Sequence, residues 1–186
     1  MKSEEIIAFA QLELEALPDL GSGLSYRCAA YLNDGLYLPC VAIQSSQARM
    51  KLAVKRFEET QAERKRLPAQ RRRGTGAQYE DIVRSFAASG NRVNYYDIAK
   101  LERSAFAIPL NVLKQVRGET SMGWTQFTGI MSDGKEFPFG TSFHTEFFQM
   151  PEGYVANDMA QVHSHNRLPG ELLRERPFFV CYVEGI

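Results

Sequence analysis

All three histidines of the 186-residue chain fall between positions 144 and 165, arranged as His144-x-Glu146 and His163-x-His165. On an extended strand, a spacing of two puts both side chains of a pair on one face. Imidazoles with a carboxylate are a donor set for zinc, or for iron held by two histidines and one carboxylate. His144, Glu146, His163 and His165 are therefore candidate metal ligands, with zinc or iron as the implied ion. The plain alternative is four polar side chains on the wet face of a sheet and no cofactor.

The second candidate is electrostatic. The chain has a net charge of zero, with 22 Lys/Arg and 22 Asp/Glu. Residues 49–73 break that balance, holding ten Lys/Arg and three Glu, a local +7 that leaves −7 elsewhere. Arg64, Lys65, Arg66, Arg71, Arg72 and Arg73 could neutralise several phosphates, and Tyr79 follows as a stacking residue. Binding of that origin is salt-dependent and largely blind to base sequence. The plain alternative is a solvated helix end paired with the acidic first helix. A third candidate is a docking surface for another chain, at Met150, Pro151 and Tyr154 or at a sheet edge near Pro39.

Several chemistries lack their residues. There is no Gly-x-Ser-x-Gly, no phosphate-binding loop and no dinucleotide fingerprint; Gly21-Ser22-Gly23 reads as a loop. His163-Ser164-His165 resembles the histidine pair of JAMM metalloproteases, but that family's downstream Ser-x-x-Asp has no counterpart, since residues 166–186 contain neither serine nor aspartate. His144-x-Glu146 with His163 resembles the facial set of iron oxygenases, although the distal histidine there usually lies much further along. Asp97-Ile98-Ala99-Lys100-Leu101 resembles part of a repressor helix-turn-helix. Arg103 stands where the turn glycine is expected, and Pro109 would break the second helix.

The elements that position these residues centre on 123–148, which hold the single tryptophan and six of the twelve phenylalanines. Ser132-Asp133-Gly134 is a three-residue hairpin loop, because glycine accepts the positive φ that closes it. This pairs Met131 with Lys135, Phe127 with Phe139 and Gly129 with Phe137. Continued parity puts Phe137, Phe139, Phe143 and Phe147 on one face, and His144, Glu146 and Phe148 on the other. A second hairpin joins 24–32 to 36–43. A three-residue loop at Asn33-Asp34-Gly35 sets Cys28 opposite Cys40, and a two-residue loop sets them on opposite faces. Pro39, without an amide proton, marks at least a local edge.

Elsewhere, Ser3 caps a helix whose stripe is Ile6, Ile7, Ala10, Leu14 and Leu17, ended by Pro18. A long helix over 46–67 loses its apolar stripe near Thr60 and leaves the body there. The basic helix end and the mobile loop after it cover about 60–78, and an amphipathic helix follows over 78–89. Residues 93–101 read as a strand, 109–117 as a short helix and 159–165 as a strand. Residues 178–183, Phe-Phe-Val-Cys-Tyr-Val, read as a strand covered on both faces.

Hydrophobic content of 44% and charged content of 24% are ordinary globular values, and no apolar run reaches membrane-spanning length. Three cysteines without a Cys-x-x-Cys imply free thiols and a cytoplasmic setting, not a disulfide framework. The expected architecture is a single α+β domain over 1–186, with antiparallel hairpins packed against several helices. The expected function is non-catalytic binding of an acidic partner, protein or nucleic acid (RNA or DNA), through the basic helix and loop. A metal-dependent enzyme using the His/Glu quartet and a protein-interaction module are the alternatives.

Overall fold

A computed structural model describes residues 1–18, 24–66, 90–118, 120, 123–142, 146–164 and 170–186. Helices and two open sheets make the chain α+β. Helix α1 (Ser3–Glu13) leads to β1 (Ala16–Leu17), β2 (Ser25–Leu32) and β3 (Tyr37–Ser45). Helix α2 (Ser46–Arg66) follows, and β4 (Arg92–Val93) and β5 (Ile98–Glu102) flank a 3₁₀ turn at Tyr95–Asp97. Then come α3 (Leu110–Leu113), β6 (Thr125–Met131), β7 (Glu136–Thr141), β8 (Met159–Ser164), β9 (Leu173–Arg174) and β10 (Phe179–Val183).

The first sheet runs β1-β2-β3-β10-β4, with β5 also paired to β2. The expected antiparallel hairpin β2–β3 is present. The architecture is not hairpins alone, however, because β10 runs parallel to both β3 and β4. Ile6 and Ala10 of α1 pack on one face of this sheet, against Tyr26, Cys28, Val41, Ile43, Cys181 and Val183. The helix ends at Glu13, earlier than its apolar stripe suggests. The Lys2 N–H donates to the Glu5 carboxylate at 2.8 Å, so Ser3 lies inside the helix and does not cap it. Leu17 belongs to the second core.

The β2–β3 loop has three residues, as the Leu32 N–H bond to the Leu36 carbonyl at 2.8 Å shows. Cys28 and Cys40 nonetheless do not face each other. Tyr31 pairs with Tyr37 and Ala30 with Leu38, but a bulge then moves the register by one, and Cys28 pairs with Val41. Pro39 lies in that bulge, beyond the reach of β10, whose pairing with β3 starts at Val41. Cys28 therefore enters the core beneath α1, while Cys40 faces the other way, against Phe147. All three cysteines are free and buried.

The second sheet runs β8-β6-β7-β9. Its central hairpin has the expected loop and register, with Phe127 opposite Phe139 and Gly129 opposite Phe137. The Phe127 and Phe139 rings stack, their centroids 5.3 Å apart. The ring over Gly129 belongs to Phe139: a Cβ there would lie 2.7 Å from that ring and 2.6 Å from the Met159 methyl. The alternation does not run on to Phe148. Strand β7 ends at Thr141, so Phe148 joins Phe127 and Phe139 in the second core, while Phe147 turns to Cys40 and Ala42 of the first sheet. Phe143 lies outside the described residues.

Residues 92–102 form two short strands around a 3₁₀ turn, and α3 is a single turn. Strand β10 is covered unevenly: Cys181 and Val183 are buried, whereas Phe179 is exposed. Among the described residues there are three α-helices. Ile6 and Ala10 place α1 in the first core, Val112 and Leu113 place α3 in the second, and α2 buries no residue.

Two measurements check this packing. Gly129→Ala should destabilise by about 1–3 kcal/mol in urea unfolding, because the Phe139 ring cannot yield without disturbing its stack. Burial pushes the Cys181 thiol up to about 12 and Cys40 to about 11, from an ordinary 9.0, and moves Cys28 in the same direction. The folded thiols keep their protons above pH 9 while the unfolded ones ionise. Their stabilising contribution is full below pH 9 and is lost as pH rises toward 12. The urea midpoint should fall over that range, and Cys181→Ala should reduce the fall.

Candidate functional site

The proposed metal quartet is only half described. His144 and His165 lie outside the described residues. His163 is exposed on β8, opposite Thr128 of β6, with its Nε2 3.3 Å from the Gln161 amide nitrogen. Its neighbour Val162 points into the second core. Glu146 directly precedes the pair of phenylalanines that divides between the two cores, and its Oε2 is buried without a hydrogen bond. Among the described residues, no group of three or more His, Cys, Asp or Glu is placed to hold a metal ion.

The basic candidates divide similarly. Arg64, Lys65 and Arg66 form the last turn of α2. Arg71, Arg72 and Arg73 lie outside the described residues, as do the rest of the expected mobile loop and the expected helix over 78–89. Along α2, seven cations (Arg49, Lys51, Lys55, Arg56, Arg64, Lys65, Arg66) oppose three glutamates (Glu58, Glu59, Glu63), a net +4. Lys55 and Glu59 are 3.9 Å apart, one turn along the helix.

A third site was not visible in the residue types. The end of α1, the chain after β5, the start of α3 and the turn at Ala156–Asp158 border a half-open pocket of about 350 Å³. Backbone bonds hold the chain after β5 in place: the Ala156 N–H donates to the Ala105 carbonyl at 2.7 Å, and the Phe148 N–H, from the segment before that turn, to the Phe106 carbonyl at 3.0 Å. Glu13, Glu15, Arg27, Arg103, Ser104 and Asn157 supply its polar lining.

Arg27 is the unusual member. It lies mid-strand on β2 with its side chain only 3% exposed. Its Nη2 is 4.0 Å from Glu15 Oε2, within Coulombic reach but beyond a hydrogen bond. Its Nε and Nη1 are buried with no hydrogen-bond partner. Burial lowers its pKa to about 10, against the opposing charges of Glu15 and Glu146, so it stays cationic at neutral pH. Glu15 is already engaged, because Oε2 accepts the Leu110 N–H at 2.7 Å. At the rim, Arg103 pairs with Glu13 at 3.4 Å. The Ser104 hydroxyl donates to the Pro39 carbonyl at 2.6 Å, which fixes the bulged strand against this loop.

No family model, no curated protein and no solved structure matches the chain. Function must therefore be read from the residues themselves. One sequence signal could have drawn attention to Arg27: it interrupts the otherwise uncharged run Ser25-Tyr26-Arg27-Cys28-Ala29-Ala30. A cation there is solvated only if β2 has a wet face, and every residue of that run is buried.

The Arg27–Glu146 relation can be tested by stability. Glu146→Gln alone leaves the guanidinium with less opposing charge and should destabilise by about 1–3 kcal/mol. Arg27→Met combined with Glu146→Gln removes both buried charges and should be at least as stable as wild type in urea. A double variant weaker than the single one would mean that the charges are a net support for the fold.

Proposed function

We propose that the chain, acting as one domain, is a non-catalytic binding protein whose helix α2 contacts the phosphodiester backbone of a nucleic acid. The observation that carries this reading is a 21-residue helix that buries no side chain and holds net +4. Its first half carries an apolar stripe, with Met50 and Val54 exposed, but from Thr60 onward it is polar and basic, and such a segment gains little from burial of apolar surface. Cations gathered in its last turn also favour the helix dipole, a contribution of about 0.3–1 kcal/mol each at low salt. The sequence continues with Arg71, Arg72 and Arg73, extending the positive charge beyond the helix. No helix among the described residues is long and apolar enough to cross a membrane.

Fluorescence anisotropy with labelled single-stranded RNA and duplex DNA tests the reading. If Arg64, Lys65 and Arg66 each neutralise one phosphate, affinity should fall about 40-fold on duplex and about 20-fold on single strand between roughly 50 and 200 mM salt. The combined variant Arg64→Gln, Lys65→Gln, Arg66→Gln should remove most of that dependence. Binding to polyglutamate but to neither nucleic acid would move the partner to the acidic-protein class, and binding indifferent to salt would overturn the reading.

A further inference from the structure

The pocket beside Arg27 combines four charges that cancel: Arg27 and Arg103 against Glu13 and Glu15. We propose that it binds a small amino carboxylate, a zwitterion whose carboxylate meets Arg27 and whose ammonium lies against Glu13 and Glu15. Arg27 makes no hydrogen bond among the described residues, and its nearest carboxylate already serves the Leu110 amide. A ligand carboxylate on the Nη2 side supplies the charge-assisted bond that Glu15, at 4.0 Å, does not.

The acidic residues decide against a simple anion site. A phosphate dianion placed at Arg27 would be repelled by Glu13 and Glu15, whereas an ammonium on the same ligand turns both into partners. Leu14, Ala107 and Pro109 form the apolar part of the wall. They suit a short aliphatic portion between or beside the charged groups. A volume of about 350 Å³ is at the small end of ligand pockets and has room for an amino acid.

The site is separate from α2 and goes beyond the nucleic-acid reading. Thermal shift and calorimetry would use the proteinogenic L-amino acids, β-alanine and γ-aminobutyrate, with acetate, methylammonium and inorganic phosphate at equal concentration. At least one amino carboxylate should raise the melting temperature and bind, and the three half-ligands should not. Arg27→Gln should weaken that binding about tenfold or more. Glu15→Gln, at a half-exposed side chain, carries the test if Arg27→Gln fails to fold; it should erase the preference for amino carboxylate over acetate. The α2 variant lacking Arg64, Lys65 and Arg66 should bind the ligand unchanged. Phosphate or acetate binding as tightly as every amino carboxylate, or no probe binding at all, overturns the proposal.

Discussion

The structure depends on the meeting of its two sheets at Phe147. This ring packs on Cys40 and Ala42 of β3, with Phe106, Ala107 and Phe178 beside it. Small residues on β3 let an aromatic approach the sheet closely, and its neighbour Phe148 enters the opposite core with Phe127 and Phe139. Two adjacent residues thereby anchor one segment to two hydrophobic clusters. Backbone bonds from Phe148 to Phe106 and from Ala156 to Ala105 extend that junction along the segment following β5. The pocket and the buried Arg27 both border this junction, so the contact that unites the sheets also shapes the candidate site.

What could be read from the sequence was local. Asp133-Gly134 and Asp34-Gly35 specify their hairpin loops through side-chain bonding and positive φ; the first has the expected three residues, and the second takes the three-residue form of the two that were open. Pairings that follow directly from the loops, such as Phe127 with Phe139, were legible for the same reason. Distant contacts were not. The bulge at Pro39 is tied to Ser104, 65 positions away, and it alone reverses the outcome for Cys28 and Cys40. The parallel pairing of β10 joins residues far apart in the chain, and no local pattern marks its direction. The parity argument failed at Thr141 because alternation holds only while the chain remains a strand.

The same division explains the candidate sites. Charge runs and clustered histidines stand out in a sequence because they are near neighbours. A pocket assembled from residues 13, 15, 27, 103, 104 and 157 has no such signature. Arg27 was legible only as an oddity within its strand. Its meaning required knowing that the β2–β3 sheet lies between α1 on one face and the Phe147 segment on the other, with Arg27 paired to Ala42.

The two sites use charge in opposite ways. Cations on α2 lie at or near the surface, where each interaction is worth little alone and is screened within about 8–10 Å at ordinary salt. They become effective only as a group, against a partner that carries a row of charges. Arg27 is removed from water, so screening hardly reaches it, and an unmet hydrogen bond there costs about 1–3 kcal/mol or more. A hydrophobic residue of similar volume would avoid that penalty, although it would leave Glu15 and Glu146 without the opposing charge. A cation held at such a cost, beside a small pocket with balancing carboxylates, is better explained by what it recognises than by what it stabilises.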